Sequence, residues 1–382
     1  MSVNAGQRLF SLDLLRGVDI FFLTALWAPL YFCFSKWAPT SSAFLFIDHQ
    51  LASFVTPDTP LYGYNIKDLA QPLFVFICGA AVPFAIPKRL SPEGKATRAF
   101  WRHVLQRVAM LWVLGCLIRN VLSFDLSRFT PYSDTLHTIA VAYFGAALAQ
   151  LIRQRRVRFA LALALIAVYG LLQHTLGDYT RLGNISRIID ETVFGAIGCK
   201  AKDYCYILTT IPWAAMGILG SLGTNLLMED RNAWSRAMRL ALCGCVALAF
   251  GYFLGIWIPF IRYIYTTSFI FASIGWSALL YSAFFVVTDI WHFRRGTGIF
   301  LLFGQCSLAA WMLANFFVGG IDAVVRRCTE GAAVLFGGHE YDDVLLGFGR
   351  CLFVMILVAL WRRLKTAKLS SANLKRQERK QA

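Results

Sequence analysis

Runs of about twenty apolar residues recur along this chain, each long enough to cross the ~30 Å hydrocarbon layer of a bilayer as one helix. In hydrocarbon every backbone N–H and C=O must be paired within its own segment, so such runs leave a helical bundle as the fold. Composition agrees. The chain is 58% hydrophobic and 15% charged, where soluble domains carry about 25% charged residues, and its mean hydropathy is +0.57. A soluble globular enzyme is excluded. Ten candidate helices are read, at about 11–34, 68–87, 103–122, 135–152, 158–174, 205–227, 238–258, 266–290, 298–319 and 344–361. The expected class is therefore all-α: a polytopic integral membrane bundle of about ten transmembrane helices, with 1–365 as a single domain and 366–382 as a basic tail without fixed structure. No cleavable leader is expected, because the first apolar run has charges inside it and no A-x-A site after it.

Charge supplies the orientation. The connections 87–103, 153–158, 229–239 and 292–298 and the tail 362–382 are basic, whereas 35–67, 123–134, 175–204, 259–265 and 320–343 are mixed or acidic. With ten helices every basic segment falls on one side, which the positive-inside rule makes cytoplasmic, together with both termini. A multi-pass place in a cell inner membrane is the expectation. The net charge of +16 is split among short loops beside apolar helices. Anionic lipid, not nucleic acid, is the partner such a pattern meets.

Polar groups at membrane depth are the candidate functional residues. The first helix opens as SLDLLRGVDIFF, with Asp13, Arg16 and Asp19 three residues apart on nearly one face. This acid–base–acid stripe is either an interfacial anchor or a charged wall at the inner mouth of a cavity, with Arg16 placed to meet phosphate. The stretch YGYNIKDLAQPLFVFICGAAVPFAIPKR (62–89) carries Lys67, Asp68, Gln71, Pro72 and Pro83, the marks of a helix that lines a cavity. Gly79 permits close helix approach there, as Gly217, Gly220 and Gly223 do in the sixth helix. Among six histidines, His49 sits beside Asp48 in an amphipathic segment (41–56), and His137 opens the fourth helix near Asp134. Histidine is the usual proton handler at neutral pH. The segments 183–198 and 320–337 have helical spacing as well and read as short helices on the outer mouth or as packed loops. Thr266, Thr267 and Ser268 are read as helix caps, Gln305 and Asn315 as buried amides, and most cysteines as small apolar fillers. Cys199 and Cys205 share one outer loop, where a disulfide would suit an oxidising compartment. No metal pattern is present in the sequence.

The ordered set RLFSLDLLRGVDIFF, DLAQPLFVFICGAAVPFAI, HVLQRVAMLWVLG, ILTTIPWAAMGILGSL, RYIYTTSFIFASIGWSALL and FGQCSLAAWML resembles the heparan-α-glucosaminide N-acetyltransferase-like family of bacterial membrane proteins over nearly the whole chain. The resemblance implies transfer of acetyl from cytoplasmic acetyl-CoA, as co-substrate and without a metal, to a sugar amine or hydroxyl on the outer side. It implies glycan modification in the cell envelope. Basic groups at the inner mouth (Arg16, Arg107 and the 88–107 region) would meet the cofactor, and Asp13, Asp19 and Gln71 are its further candidate contacts. The chain departs from the family's pattern where the central histidine belongs. Gly63, Asp68, Leu69 and Pro72 match, but Leu61 replaces a Trp, Gln71 a Phe, and Asp58 stands at the ungapped histidine position. Trp27 aligns with a common Asn and His137 with a common Gln. The catalytic candidates are therefore His49, Asp58, Asp68 and His137. The alternatives are a transporter or flippase for a lipid-linked saccharide or small solute, and a member that has lost catalysis. Self-association into a homo-oligomer is left open.

Overall fold

A computed structural model of the chain describes residues 9–26, 29–31, 33, 42, 64–120, 132, 134–180, 183–199, 206–229, 231–335 and 342–381. Among these residues every extended element is a helix: α1 Phe10–Phe21, α2 Ile66–Ala80 (continued by Val82–Ala85), α3 Arg98–Asn120, α4 Thr135–Ala149, α5 Arg155–Leu176, α6 Ile185–Cys199, α7 Thr210–Leu227, α8 Ala233–Leu254, α9 Thr267–Phe285, α10 Gly298–Gln305, α11 Ser307–Phe316, α12 Val318–Leu335 and α13 Asp342–Gln381. Helix falls in each of the ten stretches expected from the sequence. Among the described residues five helices are long and apolar enough to cross a membrane: Ile66–Ala85, Arg155–Leu176, Ala233–Leu254, Thr267–Ile290 and Asp342–Leu364. The pair α10 and α11, bent by 83°, makes a sixth if it is one span. The others differ for physical reasons. Helix α4 has 15 residues, about 22 Å of rise, and α7 spends its length on Gly, Ser, Thr and Asn because it packs against other helices.

Exposed faces of the long helices are apolar. Along α8 the exposed residues Met238, Leu242, Val246, Phe250 and Phe253 recur at helical spacing, and along α13 Phe348, Leu352, Ile356, Leu360 and Leu364 do the same. A stripe of this kind loses free energy in water at roughly 25 cal/mol per Å² and is at home against lipid. Trp234 and Tyr252, both exposed, mark the ends of the α8 stripe. They are 18 residues apart in sequence, about 27 Å along a helix, close to a bilayer's hydrocarbon thickness.

The chain divides into two compact units, Met1–Leu12 with Ala52–Phe293, and Asp13–Leu51 with Arg294–Ala382, where a single domain over 1–365 is expected from the sequence. The first unit holds α2 to α9. Its helices alternate in direction. Asp68 near the start of α2 meets Arg262 just before α9, and Gln71 of α2 meets Thr138 near the start of α4. At the other end Thr224 of α7 donates to the Ala80 carbonyl (2.7 Å) and pairs with the Tyr281 hydroxyl. Ser282 of α9 donates to the Ala237 carbonyl near the start of α8. Helices α2, α4, α7 and α9 thus start at one end, here the upper end, and α3, α5 and α8 at the lower end. The basic connections 153–158 and 229–239 meet at the lower end, where Arg155 and Arg239 both reach Glu229. Small residues hold the centre together. A Cβ on Gly79 would lie 2.0 Å from the Gly217 carbonyl oxygen, and one on Gly217 would lie 2.4 Å from that of Ala142, so the α2, α7 and α4 backbones are in contact.

In the second unit α1 packs backbone to backbone on α10. A Cβ on Gly17 would stand 1.7 Å from the Phe300 carbonyl oxygen, and Phe21 sets its ring edge-on to Phe300 and Phe303 at 5.3 and 5.1 Å. Arg350 of α13 grips Asp322 of α12 with two nitrogens, one donating at 2.8 Å, the bidentate geometry that makes arginine the preferred partner at depth. One expectation is corrected here. Gln305 and Asn315 are exposed, not buried. The helix breaks after Gln305, and Asn315 satisfies its amide on the Trp311 carbonyl one turn back. The basic tail continues α13 as helix to Gln381, in keeping with its Lys, Arg, Leu, Ala, Gln and Glu, all good helix formers.

Candidate functional site

Asp68 is where the upper end becomes a site. Asn65 starts α2, and the Asp68 carboxylate three residues on accepts the Asn65 N–H at 3.4 Å, half of a capping box. Its other oxygen accepts from Arg262 at 3.3 Å, across 194 residues of sequence. The pair is only partly covered, with side chains 13% and 22% exposed. Lys67 stands beside it, so one acid and two bases share this end. Tyr64 shares a 2.9 Å hydrogen bond with Ser273 of α9, and burial pushes its phenol well above the usual range, which keeps it a neutral hydroxyl.

The segment that presents Arg262 is fastened from several directions. Thr266 Oγ1 accepts the Ile261 N–H (3.1 Å) and donates to the Pro259 carbonyl (2.7 Å), and Ser268 donates to the same carbonyl. Neither serves as the side-chain cap of α9 that the sequence suggests; their hydroxyls fold the preceding turn instead. Gln173 and Tyr169 of α5 both donate to the Ile264 carbonyl. Between these ties Tyr265 adopts φ 49°, a left-handed conformation costly for a bulky residue and held only where its surroundings over-determine it. Its ring packs edge-on to Trp213 at 5.6 Å and to Phe269 at 5.3 Å.

His137 also stands at the upper end, fully buried. Its Nδ1 accepts the Asp134 N–H at 3.1 Å, which leaves the proton on Nε2, 3.1 Å from the Trp112 carbonyl oxygen. The Asp134 carboxylate caps α4 by accepting the Leu136 N–H at 2.9 Å, and with His137 as N3 it forms a capping box. Both ring nitrogens are therefore engaged, Nε2 lying also 3.6 Å from the Cys116 Sγ, and Trp112 and Tyr132 pack on the ring at 4.7 and 5.7 Å. That environment fixes the start of α4 and leaves the ring no lone pair for a substrate proton. Gln71, also buried, bonds Thr138 at 3.5 Å one residue further on.

At the lower end Arg107 of α3 lies 4.4 Å from the centre of the Tyr143 ring of α4, a cation–π contact. Arg89, which follows α2, shares the surroundings of Tyr143 and His103. In the second unit the opening stripe pairs Arg16 with Asp13 at 3.3 Å. Asp19 is buried, with Oδ2 unpartnered. His49, Asp58, nearly all of 41–56 and the Cys199–Cys205 pairing lie outside the described residues. Among the described residues no group of three or more His, Cys, Asp or Glu side chains could hold a metal ion.

The residue the sequence reading missed is Arg262. A signal was present: it is the lone charge in the apolar connection 259–265. Tyr64 was visible only as part of a motif. No protein-family model and no curated protein sequence matches the chain.

Proposed function

We propose that the chain is an integral-membrane acyltransferase that moves an acetyl group from cytoplasmic acetyl-CoA to a sugar amine or hydroxyl on the outer side. One observation carries the reading beside the motif resemblance: a polar line along α2 and α4 with charge at both ends. It runs from Asp68 and Arg262 through Gln71 and Thr138 to Arg107 over Tyr143. In this reading ten helical segments cross an inner membrane, both termini are cytoplasmic, and the lower end faces the cytoplasm. Arg89 and Arg107 meet coenzyme A phosphates there. Asp68, held by Arg262, orients the acceptor at the outer face. The acceptor nitrogen or oxygen bonds to the thioester carbonyl carbon, the C–S bond breaks, and the proton leaves the acceptor through a base while the thiolate becomes free CoA thiol. His49 and Asp58 are the base candidates.

A transporter or flippase for a lipid-linked saccharide is the second reading, favoured by the engagement of both His137 nitrogens. Thermal unfolding of the detergent-purified chain over a titration of acetyl-CoA separates the two. Specific binding to the folded state gives a saturable rise, worth about 2.7 kcal/mol at a hundredfold excess over Kd, with ATP inert. A folded protein with no rise rejects the acyltransferase.

A further inference from the structure

A second site lies in the first unit, away from the polar line. Helices α5 and α8 leave a groove between them, floored by α7 and α9, with a volume of about 800 Å³. Its walls are apolar: Phe159, Leu163, Leu222, Val246, Phe250 and Ile274. Its lower mouth is charged, with Arg155, Arg156 and Glu229. Glu229 holds Arg155, Arg239 and Arg231 in a fan, at 2.8, 3.2 and 3.4 Å; Arg156 stands outside it. The two segments that form the mouth, 153–158 and 229–239, contain seven arginines and two acids.

We infer that this groove is a binding site for a single anionic phospholipid, its acyl chain laid between α5 and α8 and its phosphate at the arginine mouth. Depth, level and charge all fit that occupant. Along α8 the lining runs from Leu240 to Phe250, about 15 Å of helix, which matches one leaflet of a ~30 Å hydrocarbon core. Exposed Trp234 and Trp291 sit together at the same lower end, ring centroids 6.1 Å apart, as indoles do at headgroup level. The excess of arginine selects a net negative headgroup over a zwitterionic one, because guanidinium meets phosphate in a fork and Glu229 answers only part of the charge. Phe159, Val246 and Phe250 are exposed, so the groove opens sideways to the bilayer that would supply the lipid.

Native mass spectrometry of the full chain released from detergent micelles tests this, with phosphatidylglycerol, chain-matched phosphatidylcholine and glycerol 3-phosphate as probes. One phosphatidylglycerol is retained per chain at concentrations where phosphatidylcholine is not, and glycerol 3-phosphate, lacking a chain, does not bind. Arg156→Gln, an exposed change that leaves the fold intact, weakens retention about tenfold, the scale of one charge-assisted hydrogen bond. Val246→Trp, which fills the groove from an exposed position, abolishes it. Equal retention of phosphatidylcholine, displacement by glycerol 3-phosphate, or unchanged affinity in both folded variants overturns the inference.

Discussion

The starts of α2 and α4 are built by the same local device and end in opposite chemistry. Each opens on an extended residue, Asn65 or Asp134, and each has a polar side chain three residues on that reaches back to the N-cap amide. At α4 that side chain is His137, and its second nitrogen is spent on the Trp112 carbonyl in a closed aromatic setting. At α2 it is Asp68, and its second oxygen turns outward to Arg262 in a partly open one. A residue's capacity for proton chemistry thus gives way to what its neighbours leave free. The histidine is the stronger base by type, yet the aspartate is the one left able to meet a ligand.

Substitutions can break this contrast in order of effect. Asp68→Asn or Arg262→Gln should lower acetyl transfer by about a hundredfold while the protein stays folded, the scale of a mispositioned reacting group. Equal activity to the unsubstituted chain would remove the site from the upper end. His137→Ala strands two buried backbone partners and should cost about 3 kcal/mol of stability, read as a lower melting temperature, whereas His137→Gln, which can still donate and accept, should recover most of it and keep activity. Loss of activity at full stability in His137→Gln would reverse the contrast. Asp134→Ala, which removes the cap on Leu136, should cost about 1 kcal/mol by the same measurement.

The smallest effect concerns pH. Asp190 of α6 is buried, accepts the Ile207 N–H at 2.9 Å, and is pushed up to about 6 by that burial, the hydrogen bond opposing. The folded state therefore holds its proton more tightly than the unfolded chain, whose aspartate titrates near 3.9. Its stabilising contribution is complete below about pH 4 and is lost as pH rises through about 6. Asp190→Asn, which keeps an acceptor for Ile207, should flatten the melting temperature over that window. An unchanged profile would mean that Asp190 does not titrate there.

The helical class and the places of the helices were legible because apolar runs and lipid impose one solution. The line between spanning and merely helical was not, since α4 and α7 trade length and apolarity for packing partners far away in sequence. The close helix approach at Gly79 and Gly217 could be read from residue type, and the backbone contacts agree. Arg262 could not be tied to Asp68, because no local spacing records a contact across 194 residues. For His137 the nearness to Asp134 could be read locally, but the contact of its Nε2 with the Trp112 carbonyl, 25 residues away in sequence, could not. The two units divide the chain where a continuous run of apolar segments gives no cue.

The most direct test of acyl transfer through an open Asp68 is a proteoliposome assay. Labelled acetyl-CoA is supplied on one face and glucosamine on the other, and acetylated sugar is counted for the unsubstituted chain, Asp68→Asn and His137→Gln. The expected result is product from the unsubstituted chain and from His137→Gln, with about a hundredfold less from Asp68→Asn. No product from folded, unsubstituted protein, or undiminished product from Asp68→Asn, would contradict the account.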